Sequence, residues 1–109
     1  MLTKQFKSKL EKMEKKGDYK MAVALCNSEL QQNPSNADLY VKLGDLYFDW
    51  HQDIYSPKQF IDEAITEYQR ALEVSLNSAE IHYKIGYAFY LKGDLEKAIN
   101  HLNIALEYD

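Results

Sequence analysis

Few residues in this chain have the types and spacing that chemistry requires. Asp49, His51 and Asp53 bring two carboxylates and an imidazole together within a short stretch, a set that could be imagined around a metal ion. Their spacing fits no known ligand pattern, and no metal or cofactor is expected. Cys26 is the single cysteine and falls between Ala22 and Leu30 on the apolar face of a helical stretch. That is the place of a buried core thiol rather than a nucleophile, and one cysteine excludes an intrachain disulfide. His82 lies on the packing face of its helix and His101 on a different face of the last one, with no partner at ligand spacing. Phosphate-binding glycine loops, His-Glu-x-x-His, Cys-x-x-Cys and Gly-x-Ser-x-Gly do not occur. The chain is therefore not expected to be an enzyme, and the chemistry that remains is binding. Tyrosine suits that task, because it offers a large, stiff surface with a polar tip.

The elements that would position such residues are helices. Leu2, Phe6, Leu10 and Met13 recur at helical spacing, which predicts an amphipathic helix over about residues 3–16. Gly17-Asp18 breaks it, and Asp18 can cap the next helix, which carries Ala22, Leu25, Cys26 and Leu30 to about Gln32. Asn33-Pro34-Ser35-Asn36 is a strong stop. Near the other end, His82, Ile85, Gly86 and Phe89 share one helical face, and Ala98, Leu102 and Ala105 share another across a break at Gly93-Asp94. A glycine within a helix costs about 1 kcal/mol relative to alanine. Gly86 is explained if a neighbouring helix must come close, and Ala98 and Ala105 serve the same approach from the other side.

These residues resemble a tetratricopeptide repeat, a helix–turn–helix unit of about 34 residues. His82, Ile85-Gly86, Phe89, Gly93-Asp94, Ala98, Leu102 and Ala105 occupy the slots of that pattern, with His82 where tryptophan is commoner. The same pattern lies over residues 3–36. There Gly17-Asp18-Tyr19-Lys20-Met21-Ala22 parallels Gly93-Asp94-Leu95-Glu96-Lys97-Ala98, and Pro34 fills the closing proline slot. That first unit is degenerate, with Lys9 and Leu10 in the Leu-Gly slots and Glu29 in a small-residue slot. Tyr40, Leu43-Gly44, Tyr47, Ala64, Tyr68 and Ala71 supply the middle unit. The resemblance implies a single all-α domain over 1–109: a right-handed superhelical stack of antiparallel helix pairs, six helices in units of about 3–36, 37–78 and 79–109.

The middle unit carries eight extra residues between its helices, within Asp49 to Phe60. Ser56-Pro57-Lys58-Gln59 reads as a capping box, so the second helix is expected to start near Pro57 and run about two turns longer than standard. Trp50, Tyr55 and Phe60 admit two readings: a local satellite core, or a partner-binding edge.

In this family the first helix of each unit lines the concave surface, which implies a groove made by two faces. Asp38, Val41, Lys42, Asp45, Phe48 and Asp49 form the first; Glu80, Tyr83, Lys84, Tyr87, Tyr90 and Leu91 form the second. The expected ligand is a peptide or protein segment with apolar anchors and some basic character. Some family members grip a terminal carboxylate. The corresponding positions here are Lys7, Glu11, Lys42, Glu80 and Lys84, and Glu11 and Glu80 would repel such a ligand.

Charge and composition set the remaining bounds. The net charge of −4 divides unevenly: residues 1–20 hold seven lysines against three acids, and the remainder is strongly acidic. The basic N-terminal helix reads most simply as a solvated face, since its lysines alternate with glutamates. The acidic remainder argues against nucleic acid. No apolar run is long enough to cross a bilayer and no signal peptide is evident, so no membrane association is expected and the cytoplasm is the default. Residues 79–92 are apolar or aromatic almost all round, as in a helix buried on both sides. The last helix shows Ile99, Leu102, Leu106 and Tyr108, with no polar capping helix after it. Either a longer protein continues past this surface or a second copy covers it; these four are the expected surface of a homodimer or higher assembly, and self-assembly without a separate ligand is the alternative function.

Overall fold

A computed structural model describes residues 2–51, 59–74 and 78–108. It is all-α: among the described residues there are six helices and no strand. They are α1 (Lys4–Lys15), α2 (Tyr19–Gln32), α3 (Ala37–His51), α4 (Gln59–Val74), α5 (Ala79–Lys92) and α6 (Leu95–Tyr108). Successive helices pack in order, α3 most extensively on α4 and α5 on α6, to give a helical-repeat solenoid.

Local chemistry fixes where each helix starts and stops. Thr3, Asp18, Ser78 and Asp94 each accept a backbone N–H three residues on, from Phe6, Met21, Ile81 and Lys97, and so satisfy a donor the first turn leaves free. The Gly17 and Gly93 turns use the same bonds. The N–H groups of Gly17 and Asp18 reach back to Glu14 and Met13 carbonyls, and those of Gly93 and Asp94 to Tyr90 and Phe89. Both glycines have positive φ, +71° and +93°, as this left-handed helix ending requires.

The core forms two clusters that straddle the helix pairs. Phe6 and Leu10 of α1 meet Val23 and Cys26 of α2 and Leu39, Leu43 and Leu46 of α3. Ile61, Ile65 and Tyr68 of α4 meet Ile81, Ile85 and Phe89 of α5 and Ala98 of α6. Each pair thus buries its neighbour's apolar face, as stacking units must. Gly44 and Gly86 are both buried where helices approach closely, Gly44 against Tyr68 and Gly86 against Leu102 and the Ala98 carbonyl.

In the middle unit, the described part of α4 spans 16 residues against 14 for α2 and α6. Ser56, Pro57 and Lys58 of the capping box, and with them the start near Pro57, lie outside the described residues, as do Asp53 and Tyr55. Trp50 and Phe60 are described and form a satellite core. Their rings stack at 4.2 Å, with Tyr47 against both and Tyr19 of α2 on the far side of Trp50.

The expectation that α5 is buried all round is corrected. Ile81, Ile85, Ala88 and Phe89 are buried, but Tyr83, Tyr87, Tyr90 and Leu91 are exposed. The helical period places that strip beside the packing stripe; its apolar composition is what suggests burial on both sides. No described helix is long and apolar enough to cross a membrane.

Candidate functional site

The exposed strip of α5 and the adjoining face of α3 form the candidate site. Tyr83, Tyr87 and Tyr90 recur at four and three residues, so one helical face presents all three. Tyr83 meets Tyr87 edge-on at 6.4 Å, and Tyr87 meets Tyr90 at 6.3 Å. Phe48 reaches across from α3 and tilts against Tyr87 at 5.6 Å. Tyr87 is the junction of this aromatic row, touching three of its rings. Val41 and Phe48 are half-buried and also pack on the core between α4 and α5.

Beneath the row lies a fixed polar floor. The Tyr68 hydroxyl donates to Asp45 Oδ1 at 2.7 Å, and Lys84 Nζ donates to both Asp45 oxygens at 2.8 and 2.9 Å. Lys84 also approaches Glu80 at 3.4 Å and lies over the Tyr68 ring. Burial pushes the Tyr68 phenol well above its ordinary pKa, and the Asp45 charge and hydrogen bond push it further, so the hydroxyl stays a donor. A depression of about 160 Å³ opens among Phe48, Tyr68, Tyr83 and Tyr87, with Asp45 and Lys84 at its edge.

The charges around it are unbalanced. Lys42 pairs with Glu14 of α1 at 2.5 Å, and Lys84 pairs with Asp45, so the two groove lysines are both engaged. Asp38, Asp49 and Glu80 remain exposed. Asp49 stands on the rim, where partial desolvation first, and then the charges of Asp45 and Glu14, hold its carboxyl above the usual range. Lys7 and Glu11 line a separate depression with Leu2, Leu10, Glu14 and Lys42. With Lys42 and Lys84 neutralised, these positions do not assemble a grip for a carboxylate.

Three placements differ from the sequence reading. His82 and His101 are brought together, Nδ1 to Nδ1 at 3.1 Å, with Tyr108 stacked on His82 and Phe89 on His101. Tyr108 stays exposed while its ring stacks on His82. Leu95, absent from the expected surface, is 58 % exposed, like Ile99, and Leu106 is 72 % exposed; Leu102 is half-buried beside Gly86. Cys26 is buried, and desolvation pushes its thiol up to about 12, which fits a core role.

The histidine pair carries a pH prediction. Burial lowers both imidazole pKa values below 6.5, and His82 lowers that of His101 further. As pH falls through about 6.5, the unfolded chain binds protons that the folded chain does not. Stability is therefore full above that pH and declines until the folded-state pKa values are reached. Thermal melts of a His82→Gln, His101→Gln double variant should show a smaller fall between pH 7.5 and 5.5 than wild type; an equal fall would contradict this. Asp49 and Glu67, with raised pKa values, act with the opposite sign at lower pH.

Comparison with known proteins agrees with this architecture. The family model described as "TPR repeat" matches residues 53–93, and the one described as "Tetratricopeptide repeat" matches residues 79–109. Among solved structures, MamA AMB-1 is 26% identical, with a TM-score of 0.73 over 89% of this chain and 52% of that one. MamA MSR-1 is 25% identical, with a TM-score of 0.77 over 95% of this chain and 55% of that one. The chain thus spans about half the length of the MamA chains it matches. No curated protein sequence matches it.

Proposed function

The chain belongs to the tetratricopeptide repeat family, whose domains are protein–protein interaction modules, and from that premise we propose that the α3–α5 face holds a peptide segment of a protein partner. An apolar anchor residue sits among Phe48, Tyr83 and Tyr87, and basic residues lie beside Asp38, Asp49 and Glu80, with Val41 and Tyr90 extending the contact. One observation carries the reading. Three tyrosines stand exposed in a row over a floor already locked by Tyr68, Asp45 and Lys84, while both nearby lysines are neutralised from within. Such a surface is preorganised, apolar and negative, which favours a basic ligand with a hydrophobic side chain. The cytoplasm is retained as the proposed compartment, with which the single buried thiol of Cys26 is compatible.

The test uses fluorescein-labelled peptides in which a leucine or phenylalanine is flanked by lysine and arginine, titrated against the chain by fluorescence anisotropy. Binding should weaken in 0.5 M salt without vanishing, since screening removes the charge contribution and leaves the apolar one. Equal binding of charge-reversed peptides, or none of either, would reject the proposal. A second reading, self-assembly through the C-terminal helices, is favoured by the exposure of Leu95, Ile99 and Leu106 on α6. That surface meets the groove at Tyr83 and Glu80, which line a furrow with Leu102 and Leu106.

A further inference from the structure

Resting on the groove reading, we infer that a second anchor subsite lies between α1 and α3, and that the ligand is an extended segment with two large apolar side chains three or four residues apart and a basic residue between them. Phe48, Tyr83 and Tyr87 take one anchor; Leu2 and Leu10 take the other.

The internal repeat carries this reading. Aligning Leu10 with Gly44, and Gly44 with Gly86, places Glu11 opposite Asp45, Glu14 opposite Phe48 and Lys42 opposite Lys84. Asp45, Phe48 and Lys84 line the depression between α3 and α5. Glu11, Glu14 and Lys42 line a second one between α1 and α3. The two hollows are thus the same place in successive units. Each is bridged in the same way, by a lysine that reaches back to a carboxylate of the preceding first helix: Lys84 to Asp45, and Lys42 to Glu14.

Their linings differ. Where α5 offers Tyr83 and Tyr87, α3 has Val41 and Asp45, so the second hollow has no aromatic rim. Buried Leu10 is its floor and half-buried Leu2 a wall, with Lys7 and Lys42 beside them, whose methylene stems are apolar. Its volume of about 470 Å³, against about 160 Å³ for the first, admits a whole leucine or methionine side chain.

Only α3 separates the hollows. A helix with its side chains is about 10–12 Å across, and an extended chain advances roughly 3.3 Å per residue. Anchors three or four residues apart therefore reach both. Asp49 stands between them: Glu14 of α1 and Lys84 of α5 both act on its exposed carboxyl. A lysine or arginine between the anchors complements that charge.

Fluorescence anisotropy with labelled peptides tests this. Each peptide carries two leucines with lysine and arginine between them, at leucine-to-leucine spacings from two to seven residues. Spacings of three and four should bind roughly 10-fold or more tighter than the same peptides with either leucine changed to alanine, and tighter than the other spacings. Glu11→Trp, at an exposed position on the rim, fills the second hollow. It should remove that advantage and leave single-leucine binding and helicity by circular dichroism unchanged. Leu2→Ala, before the start of α1, should reduce the advantage too, whereas Tyr87→Ala should weaken both kinds of peptide. Single-leucine binding that depends on Tyr87 but gains nothing from a second leucine would overturn the second subsite alone and leave the groove reading standing. A gain that is equal at every spacing, or that survives both Glu11→Trp and Leu2→Ala, would do the same. No binding by any peptide would overturn both.

Discussion

Replacing Gly44 by alanine is expected to destabilise the fold by about 2–4 kcal/mol, although alanine is the better helix former by about 1 kcal/mol. A Cβ at Gly44 would lie 2.8 Å from Tyr68 Cζ and closer still to two other ring atoms. The ring has nowhere to go: Tyr68 is 2 % exposed, and its hydroxyl is tied to Asp45. Moving it overpacks the α4–α5 core and strands a buried phenol, each a cost of about 1–3 kcal/mol. Gly86→Ala is the informative control. Its Cβ would meet Leu102 Cγ at 2.9 Å and the Ala98 carbonyl oxygen at 3.2 Å; Leu102 borders an open furrow and can turn, but the α6 backbone must also give by a few tenths of an ångström. That variant should be destabilised by about 1–2 kcal/mol, less than Gly44→Ala, because the helix-propensity gain offsets part of the overpacking. Urea denaturation of the two variants checks the pair, and equal stabilities would contradict the packing account.

Tyr87→Ala is expected to weaken partner binding by about 2 kcal/mol or more, roughly 30-fold, while leaving the helices intact. Tyr87 is 40 % exposed, so truncation opens no sealed cavity. It does remove the ring that joins Phe48 to Tyr83 and Tyr90, and with it one wall of the apolar depression. Tyr90 stands at the end of the row and is 58 % exposed, so Tyr90→Ala should have the smaller effect. Calorimetric titration with a basic, leucine-anchored peptide measures both. Unchanged affinity in Tyr87→Ala with unchanged helicity would remove Tyr87 from the site.

The turns and close approaches were readable from sequence because each depends on residues near in the chain or on a size that nothing else explains. Gly17-Asp18 and Gly93-Asp94 announced one turn twice, and they make the same hydrogen bonds. Gly44 and Gly86 announced close packing, because a helix keeps glycine at a cost. The site was legible only as a list of helix faces. That Asp45 is committed to Tyr68 and Lys84, residues 23 and 39 positions away, depends on how the second and third helix pairs are set against each other. No periodicity contains that relation. The same holds for Lys42 and Glu14, and for His82 and His101, whose meeting is set by the rotation of α6 on α5. The tyrosine strip on α5 fell on the groove face by helical period, but its exposure was not legible, since a groove and an interior draw on the same residue types.

The most direct test of the groove is a nitrogen-15 chemical-shift titration of the chain with a lysine- and arginine-flanked, leucine-anchored peptide. Shifts confined to the backbone amides of Val41, Asp45, Phe48, Tyr83, Tyr87 and Tyr90, and lost in Tyr87→Ala, are the predicted result. Shifts clustered on Leu95, Ile99 and Leu106 instead, or no shift at millimolar peptide, would contradict it.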